Sequence, residues 1–175
     1  TWAAWSVATA KGSTRLAGKA RCEGVGGGTI DDGPTKTTGS LPKILEDHRA
    51  TATFFNVGAE VQKYPAAGRA EAAIGQVANH SYSHPFLDQM TNDQVFNELL
   101  GTNQILKSLT GTAPVLFRPP FDRVNESTEG VVHSLGMTTV LWNIDSGAYL
   151  GKKDVVQSFA SAKAGAVIRL HDGIQ

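Results

Sequence analysis

Short runs of apolar, β-branched and aromatic residues recur along the chain and alternate with segments of helical periodicity. Runs of this length and composition predict buried strands. The predicted strands cover residues 25–30, 51–57, 74–78, 114–117, 137–144 and 166–170. The first is a poor strand by intrinsic propensity, because it holds three consecutive glycines, Gly26, Gly27 and Gly28.

The segments between these runs carry the apolar spacing of amphipathic helices. A first helix is predicted where residues recur at helical spacing, at Leu41, Ile44, Leu45 and His48. Thr91 and Gln94 have the spacing of a capping box, and Gly111 stands where that helix would end. Further helices are predicted over 126–135 and 154–163. This strand–helix alternation predicts a single α/β domain with a parallel sheet, either open or closed into a βα barrel.

Length and composition narrow the class of protein. The 175 residues fit one domain, and 16 basic and 16 acidic residues give a formal net charge of zero. This balance excludes a basic nucleic-acid binder and a polybasic membrane anchor, and no apolar stretch approaches the length of a membrane helix. Cys22 is the single cysteine, so no internal disulfide or cysteine-based zinc site is expected. We expect residues 1–21 to be a separate N-terminal segment and 22–175 to form the domain.

Two polar clusters are candidates for chemistry. Asp31 and Asp32 follow the first predicted strand and precede a Gly-Pro turn. Asp and Gly are also common in solvated turns, so this pair alone does not define a site. His80 and His84 are four residues apart, which would place them on the same side of a helical turn and suits two nitrogen ligands of one metal. Two exposed polar histidines at a helix start would show the same spacing.

Taken together, the two clusters indicate a metal site more strongly than either does alone. One carboxylate and two histidines form the ligand set of many hydrolytic divalent-metal sites, and a second carboxylate beside them is a natural general base. Arg118, Trp142, Asp145 and His171 also follow or close predicted strands. Functional residues of barrels and doubly wound sheets gather at the carboxyl ends of strands. This shared placement favours an enzyme site over unrelated polar residues.

Five motifs in order make residues 22–173 resemble the polysaccharide deacetylases that share the NodB homology domain, also called carbohydrate esterase family 4. The family sequence Thr-Phe-Asp-Asp-Gly-Pro stands here as residues 29–34, with Ile30 for Phe. His-Ser/Thr-x-x-His is 80–84, and Arg-x-Pro-Tyr is 118–121 with Phe121 for Tyr. The fourth motif supplies Trp142 and Asp145, and Leu-x-His-Asp corresponds to 169–172.

The resemblance implies a distorted, incomplete (β/α) barrel of parallel strands. It also implies a metal-dependent hydrolase that removes acetyl groups from chitin, chito-oligosaccharides or acetylxylan, with peptidoglycan as a less favoured candidate substrate. We expect a secreted monomer that binds neither nucleic acid nor a membrane. One divalent ion, zinc or cobalt, would be held by Asp32, His80 and His84.

The resemblance assigns the remaining site residues as well. Asp31 would be the general base and Arg118 would fix its carboxylate. His171 would be the general acid, with Asp145 pairing to it and holding it protonated. The expected substrate-binding residues are Phe121, whose backbone N–H would be an oxyanion donor, Trp142 in the wall of the acetyl pocket, and Leu170.

Several positions depart from the family pattern and keep other hypotheses open. Arg169 replaces the apolar residue of Leu-x-His-Asp, and a charge in a buried strand is costly unless it is paired. Ala148-Tyr149 stands where the family has Asp-Trp. These departures motivate the alternative of a carbohydrate-binding protein that kept the fold and lost turnover. A third alternative is an α/β domain in which the Asp and His residues are structural.

Two expectations concern residues outside the proposed site. Related secreted enzymes often join a Cys before the first strand to one beyond the His-Asp motif. We therefore expect the domain to continue past residue 175 and Cys22 to have a partner there. His48 is expected to pack on the inner side of its helix, and His133 to lie on the surface.

Overall fold

The computed structural model describes residues 27–147 and 162–173, together with Ala160. The predicted segment 1–21, Cys22 and Ala148-Tyr149 lie outside the described residues, as does most of the helix predicted over 154–163. Within the described part of the chain, no helix combines the length and the apolar character needed to span a bilayer.

Among the described residues, seven strands form one sheet in which every neighbouring pair is parallel. The strands are β1 Gly27–Asp31, β2 Ala52–Asn56, β3 Gln76–Asn79, β4 Leu116–Phe117, β5 Thr138–Thr139, β6 Ile144–Asp145 and β7 Val167–His171. Their spatial order is β5-β4-β3-β2-β1-β7-β6. The polar residues Asp31, Asn79 and His171 therefore stand at the carboxyl ends of β1, β3 and β7.

The sheet curls into an incomplete barrel, as expected. Strands β5 and β6 are the two edges of the sheet, yet only residues 140–143 separate them in sequence. Five residue steps span at most about 18 Å, so the edges must approach each other. The prediction of a single strand over 137–144 is therefore wrong. This range contains two short strands on opposite edges of the sheet, and the segment between them crosses the barrel opening.

In the described part of the chain, five α-helices connect the strands. They are α1 Leu41–Asp47, α2 Gly58–Lys63, α3 Pro65–Ile74, α4 Asn92–Thr110 and α5 Glu126–Ser134, and 3₁₀ turns cover Thr38–Ser40, Leu87–Gln89 and Pro120–Asp122. The predicted capping box is confirmed at the start of α4, where the side chain of Thr91 accepts from Gln94 N and Gln94 accepts from Thr91 N. Gly111 ends that helix at φ 83°, a left-handed conformation that glycine adopts without steric cost.

Strand alternation divides the core into an inner and an outer layer. The inner layer packs Phe55, Ala78, Leu116 and Val140 inside the curled sheet. The outer layer lies between the sheet and the helices, in two clusters centred on Phe54 and Phe117. His48 is exposed at the end of α1, so its predicted packing role is wrong, whereas His133 is exposed as expected.

Candidate active site

A buried ion pair joins the first and fourth strands inside the barrel. Arg118 Nη1 donates to Asp31 Oδ1 at 2.7 Å, and the two side chains are 0% and 3% exposed. The same guanidinium donates to Thr29 Oγ1 at 2.7 Å and to the carbonyls of Val140 and Leu141 at 3.0 and 3.3 Å. Burial lowers the pKa of Arg118 by more than the Asp31 carboxylate raises it. Arg118 thus fixes the Asp31 carboxyl and ties β1 to the segment that crosses the barrel opening.

Asp32 turns away from the strand towards the two histidines. Its φ of 69° is left-handed, a conformation that Asp tolerates better than most side chains. Its Oδ1 atom lies 3.4 Å from His80 Nε2 and 3.2 Å from His84 Nε2. Burial raises the pKa of the Asp32 carboxyl, but the two imidazoles lower it by more and hold it well below its usual range.

The histidines lie on a loop and not on a helical turn, which corrects the geometry predicted from their spacing. Residues 80–86 have no helical structure, and Ser81 and His84 are both left-handed, at φ 66° and 58°. Glu98 of α4 holds the loop by accepting from Tyr82 N, Ser83 N and Ser83 Oγ at 2.8–2.9 Å. The loop still brings the two imidazole rings together, with their centroids 5.0 Å apart.

The donor set fits a divalent cation. Asp32, His80 and His84 each offer one ligand atom, and these atoms all lie within 4.8 Å of one another. His80 Nδ1 lies 2.7 Å from the carbonyl of Arg118. Donation to that carbonyl leaves the lone pair of Nε2 facing Asp32. Asp32 Oδ1 is buried and has no hydrogen-bond partner among the described residues.

The separations themselves agree with shared coordination. Two ligand atoms at about 2.05 Å from a tetrahedral ion are about 3.3 Å apart. The observed separations of 3.4 and 3.2 Å from Asp32 Oδ1 to the two imidazole nitrogens match that value. Asp32, His80 and His84 would therefore be the residues that hold the ion.

Arg169, the charged residue predicted to be costly in a buried strand, is paired with two carboxylates. Its Nη1 donates to Asp122 Oδ2 and its Nη2 to Asp145 Oδ2, both at 2.7 Å. Its guanidinium carbon lies 4.1 Å from the centre of the Trp142 ring, and Trp142 Nε1 donates to Asp122 at 2.8 Å. Burial lowers the pKa of Arg169, but these carboxylates raise it by more. The charge is therefore compensated where the family has an apolar residue.

Asp145 and His171 differ in part from what the resemblance implies. Burial raises the pKa of Asp145, but the bonds from Arg169 and from Gly147 N, together with the charges of Arg169 and His171, lower it by more. Burial lowers the pKa of His171, and Arg169 adds to that, while Asp32, Asp31 and Asp145 oppose it. The net direction for His171 is downwards, opposite to the expected stabilisation of its protonated form.

The three expected substrate-binding residues separate into two groups. Phe121 is half-exposed, with its ring 4.6 Å from the His84 ring, and Trp142 stacks with Arg169. Leu170 lies on the other face of β7, because side chains alternate along a strand. It packs on the outer cluster with Ile30 and Phe54. Leu170 thus belongs to the core between sheet and helices.

A second, buried acidic pair, Glu71 and Asp172, lies behind the Asp32 turn. Asp172 ends the fifth sequence motif, whereas the sequence patterns contained no signal for Glu71. Glu71 of α3 is fully buried and accepts from Asn56 Nδ2 at 2.6 Å. Asp172 is 8% exposed and accepts from Thr38 Oγ1. A Cβ placed on Gly33 would lie 3.0 Å from Asp172 Oδ2 and 3.3 Å from Glu71 Oε1, so both carboxyls abut the turn. Burial raises the pKa of the Glu71 carboxyl, and the hydrogen bond from Asn56 lowers it by less. The negative charge of Asp172 raises it further, so that the pKa of Glu71 is about 8.

Glu71→Gln is expected to make the protein more stable at alkaline pH. The unfolded chain releases this proton near 4.5 and the folded chain holds it to about 8. Between those values the folded state binds more protons, so stability falls by about 1.4 kcal/mol per pH unit. The variant lacks this loss, and its advantage in free energy of unfolding should grow by roughly 4 kcal/mol from pH 5 to pH 8. Urea unfolding at both pH values measures it.

The matched control is Glu46→Gln, which changes an exposed glutamate of α1. Its effect on the free energy of unfolding should be small and similar at both pH values. An advantage of Glu71→Gln that did not grow with pH would show that Glu71 is ionised in the folded protein.

Comparison with known proteins identifies the family. The model of the polysaccharide deacetylase family matches residues 19–140. The chain belongs to the polysaccharide deacetylase family, the NodB-type deacetylases of carbohydrate esterase family 4. The matched range contains Asp31, Asp32, His80, His84 and Arg118.

Relatives with three kinds of substrate in their names resemble the chain to a similar degree. A bifunctional xylanase/xylan deacetylase of Cellvibrio japonicus is 35% identical over 155 residues, 87% of this chain and 23% of that protein. Chitin deacetylase 1 of Cryptococcus neoformans is 33% identical over 137 residues, which are 77% of this chain and 29% of that protein. A peptidoglycan-N-acetylglucosamine deacetylase of Listeria monocytogenes is 31% identical over 149 residues, which are 82% of this chain and 31% of that protein. The chain thus spans less than a third of each of these proteins.

A solved structure confirms the fold. The family 4 carbohydrate esterase of Streptomyces lividans, in complex with acetate, superposes with a TM-score of 0.84 at 35% identity. The match covers 87% of this chain and 81% of that one. The curled parallel sheet with its helices is therefore the fold of this family.

Proposed function

We propose that this chain hydrolyses acetyl groups from an acetylated polysaccharide, either the N-acetyl groups of chitin-like glycans or the O-acetyl groups of acetylxylan. The observation that carries this proposal is the meeting of two sets of groups at the carboxyl ends of the strands. One set is the Asp31–Arg118 pair, and the other is Asp32 with His80 and His84. The sequence matches to xylan and chitin deacetylases support the choice of substrates.

A divalent cation held by Asp32, His80 and His84 would supply Lewis acidity and lower the pKa of a water molecule. Asp31, with its carboxyl oriented by Arg118, accepts the proton that this water loses. The backbone N–H of Phe121 donates to the oxygen on which negative charge develops. His171 donates a proton to the leaving amine or alcohol.

The charged cluster around Arg169 shapes the other wall of the site. Arg169 joins Asp122 and Asp145 in this wall by two bonds of 2.7 Å. Arg169 was one of two reasons to consider a binding protein without turnover, and its pairing removes the argument from an uncompensated buried charge. The other reason, Ala148-Tyr149 in place of Asp-Trp, lies outside the described residues. Secretion and a monomeric state stay predictions.

Acetate release tests the proposal. The purified chain with added zinc or cobalt is incubated with N-acetylglucosamine tetramer and with acetylxylan. We expect metal-dependent release of acetate from at least one of them, and its loss after chelation. No release from either glycan with either metal would refute the proposal.

A further inference from the structure

Two phenylalanines form an exposed aromatic surface beside the site. Phe86 and Phe121 are 42% and 50% exposed. Their rings stack with centroids 4.2 Å apart and an angle of 26° between the planes. Exposing a contiguous aromatic surface has a hydration cost, and such patches commonly mark binding sites for ligands or partners. We call this pair the aromatic platform.

The backbone holds one ring of the platform in place under strain. Phe121 and Asp122 are consecutive non-glycine residues in the left-handed region, at φ 57° and 56°. This conformation is costly for residues other than glycine and persists only where the surroundings impose it. Here Asp122 is held by bonds from Trp142 and Arg169. The network around Arg169 thus also presents the Phe121 ring to solvent.

The second ring is held from the other end of the platform. The Arg123 guanidinium lies 5.0 Å from the centre of the Phe86 ring. Arg123 is itself fixed by Asp88, to which it donates at 2.9 and 2.6 Å. The aromatic rings are therefore ordered before any ligand arrives, which reduces the entropy lost on binding.

The platform lies directly against the metal-binding residues. The Phe121 ring meets the His84 ring edge-on, with centroids 4.6 Å apart. His84 Nε2 is one of the three atoms facing the cation position. A glycan whose acetyl group reaches that position therefore has its neighbouring sugar within reach of the platform.

We infer that the aromatic platform is a binding subsite for a sugar ring adjacent to the one that carries the reacting acetyl group. This inference rests on the proposed function and adds a residue, Phe86, to substrate recognition. The faces of β-linked pyranose rings expose C–H groups while their hydroxyls point outwards. Such a ring buries apolar surface against an aromatic face and keeps its hydroxyls in water.

The dependence of acetate release on the length of the glycan substrate tests the subsite. We compare kcat/KM for acetate release from the N-acetylglucosamine monosaccharide and tetramer. In Phe86→Ala the tetramer-to-monosaccharide ratio should fall about five- to tenfold, because only the tetramer reaches the platform. Phe86→Tyr should keep the ratio of the unchanged protein. Phe96→Ala removes a comparably exposed ring from α4, 38% exposed, and serves as the matched control.

A binding measurement separates this inference from the proposed function. Calorimetric titration of the zinc-loaded protein with the deacetylated glucosamine tetramer should show several-fold weaker binding for Phe86→Ala than for Phe96→Ala. If the unchanged protein releases no acetate from the N-acetylglucosamine tetramer or from acetylxylan, the proposed function fails, and this titration alone decides on the subsite. Equal ratios and equal affinities in Phe86→Ala and Phe96→Ala would overturn the inference.

Discussion

Asp31→Asn is expected to lower kcat for acetate release by about 10²–10⁴-fold, the usual contribution of a general base. The amide cannot accept the proton from the attacking water, yet its oxygen can still accept from Arg118 at the observed 2.7 Å. The fold and the ligands Asp32, His80 and His84 should be kept, although the buried charge of Arg118 loses its counter-ion and the free energy of unfolding falls. Initial rates on the best glycan substrate measure the effect, together with zinc content by mass spectrometry.

The control for this prediction is Asp47→Asn, which changes an exposed carboxylate paired with Lys43 on α1. It should leave kcat within about twofold, since surface pairs of this kind contribute little. If Asp31→Asn binds a full equivalent of zinc and keeps more than a tenth of kcat, Asp31 is not the base.

Arg118→Met is expected to destabilise the protein by about 3–5 kcal/mol. Removing one partner of a buried ion pair leaves the other charge buried and uncompensated. Asp31 loses its cation, while Thr29 and the carbonyls of Val140 and Leu141 lose their donor. Urea unfolding of the two proteins gives the difference directly.

Arg123→Met is the matched control, because it removes an arginine of the same length from an exposed pair. Arg123 is 45% exposed and bonds Asp88 at 2.6 Å, so its loss should cost less than about 1 kcal/mol. The double variant Asp31→Asn/Arg118→Met should recover part of the loss, because no buried charge remains. Equal effects of Arg118→Met and Arg123→Met would contradict the structural role given to Arg118.

The sequence could predict the sheet because its strands are buried on both faces. Continuous apolar runs such as 51–57 and 166–170 are typical of parallel strands, and β2 and β7 lie within or near them. The run over 137–144 led to a wrong prediction, because hydrophobic periodicity does not indicate which neighbour a strand pairs with. Its two ends pair with β4 and β7 at opposite edges.

The candidate site could be predicted as a set of residues but only partly as a geometry. Asp31, Asp32, His80 and His84 were recognisable because their types and order carry the chemistry. Their conformation was not, because the loop over 80–84 depends on Glu98 of α4, which is distant in sequence. Glu71 and the partners of Arg169 were also beyond reach, since such contacts arise only when strands and helices assemble.

A crystal structure of the zinc-loaded chain, with zinc located by its anomalous scattering, tests whether Asp32, His80 and His84 hold the ion. We expect one ion per chain, about 2.0–2.2 Å from an Asp32 carboxylate oxygen, His80 Nε2 and His84 Nε2. We also expect His80→Ala to bind less than a tenth of an equivalent under the same conditions. Zinc bound elsewhere, or full occupancy in His80→Ala, would show that these three residues do not form the metal site.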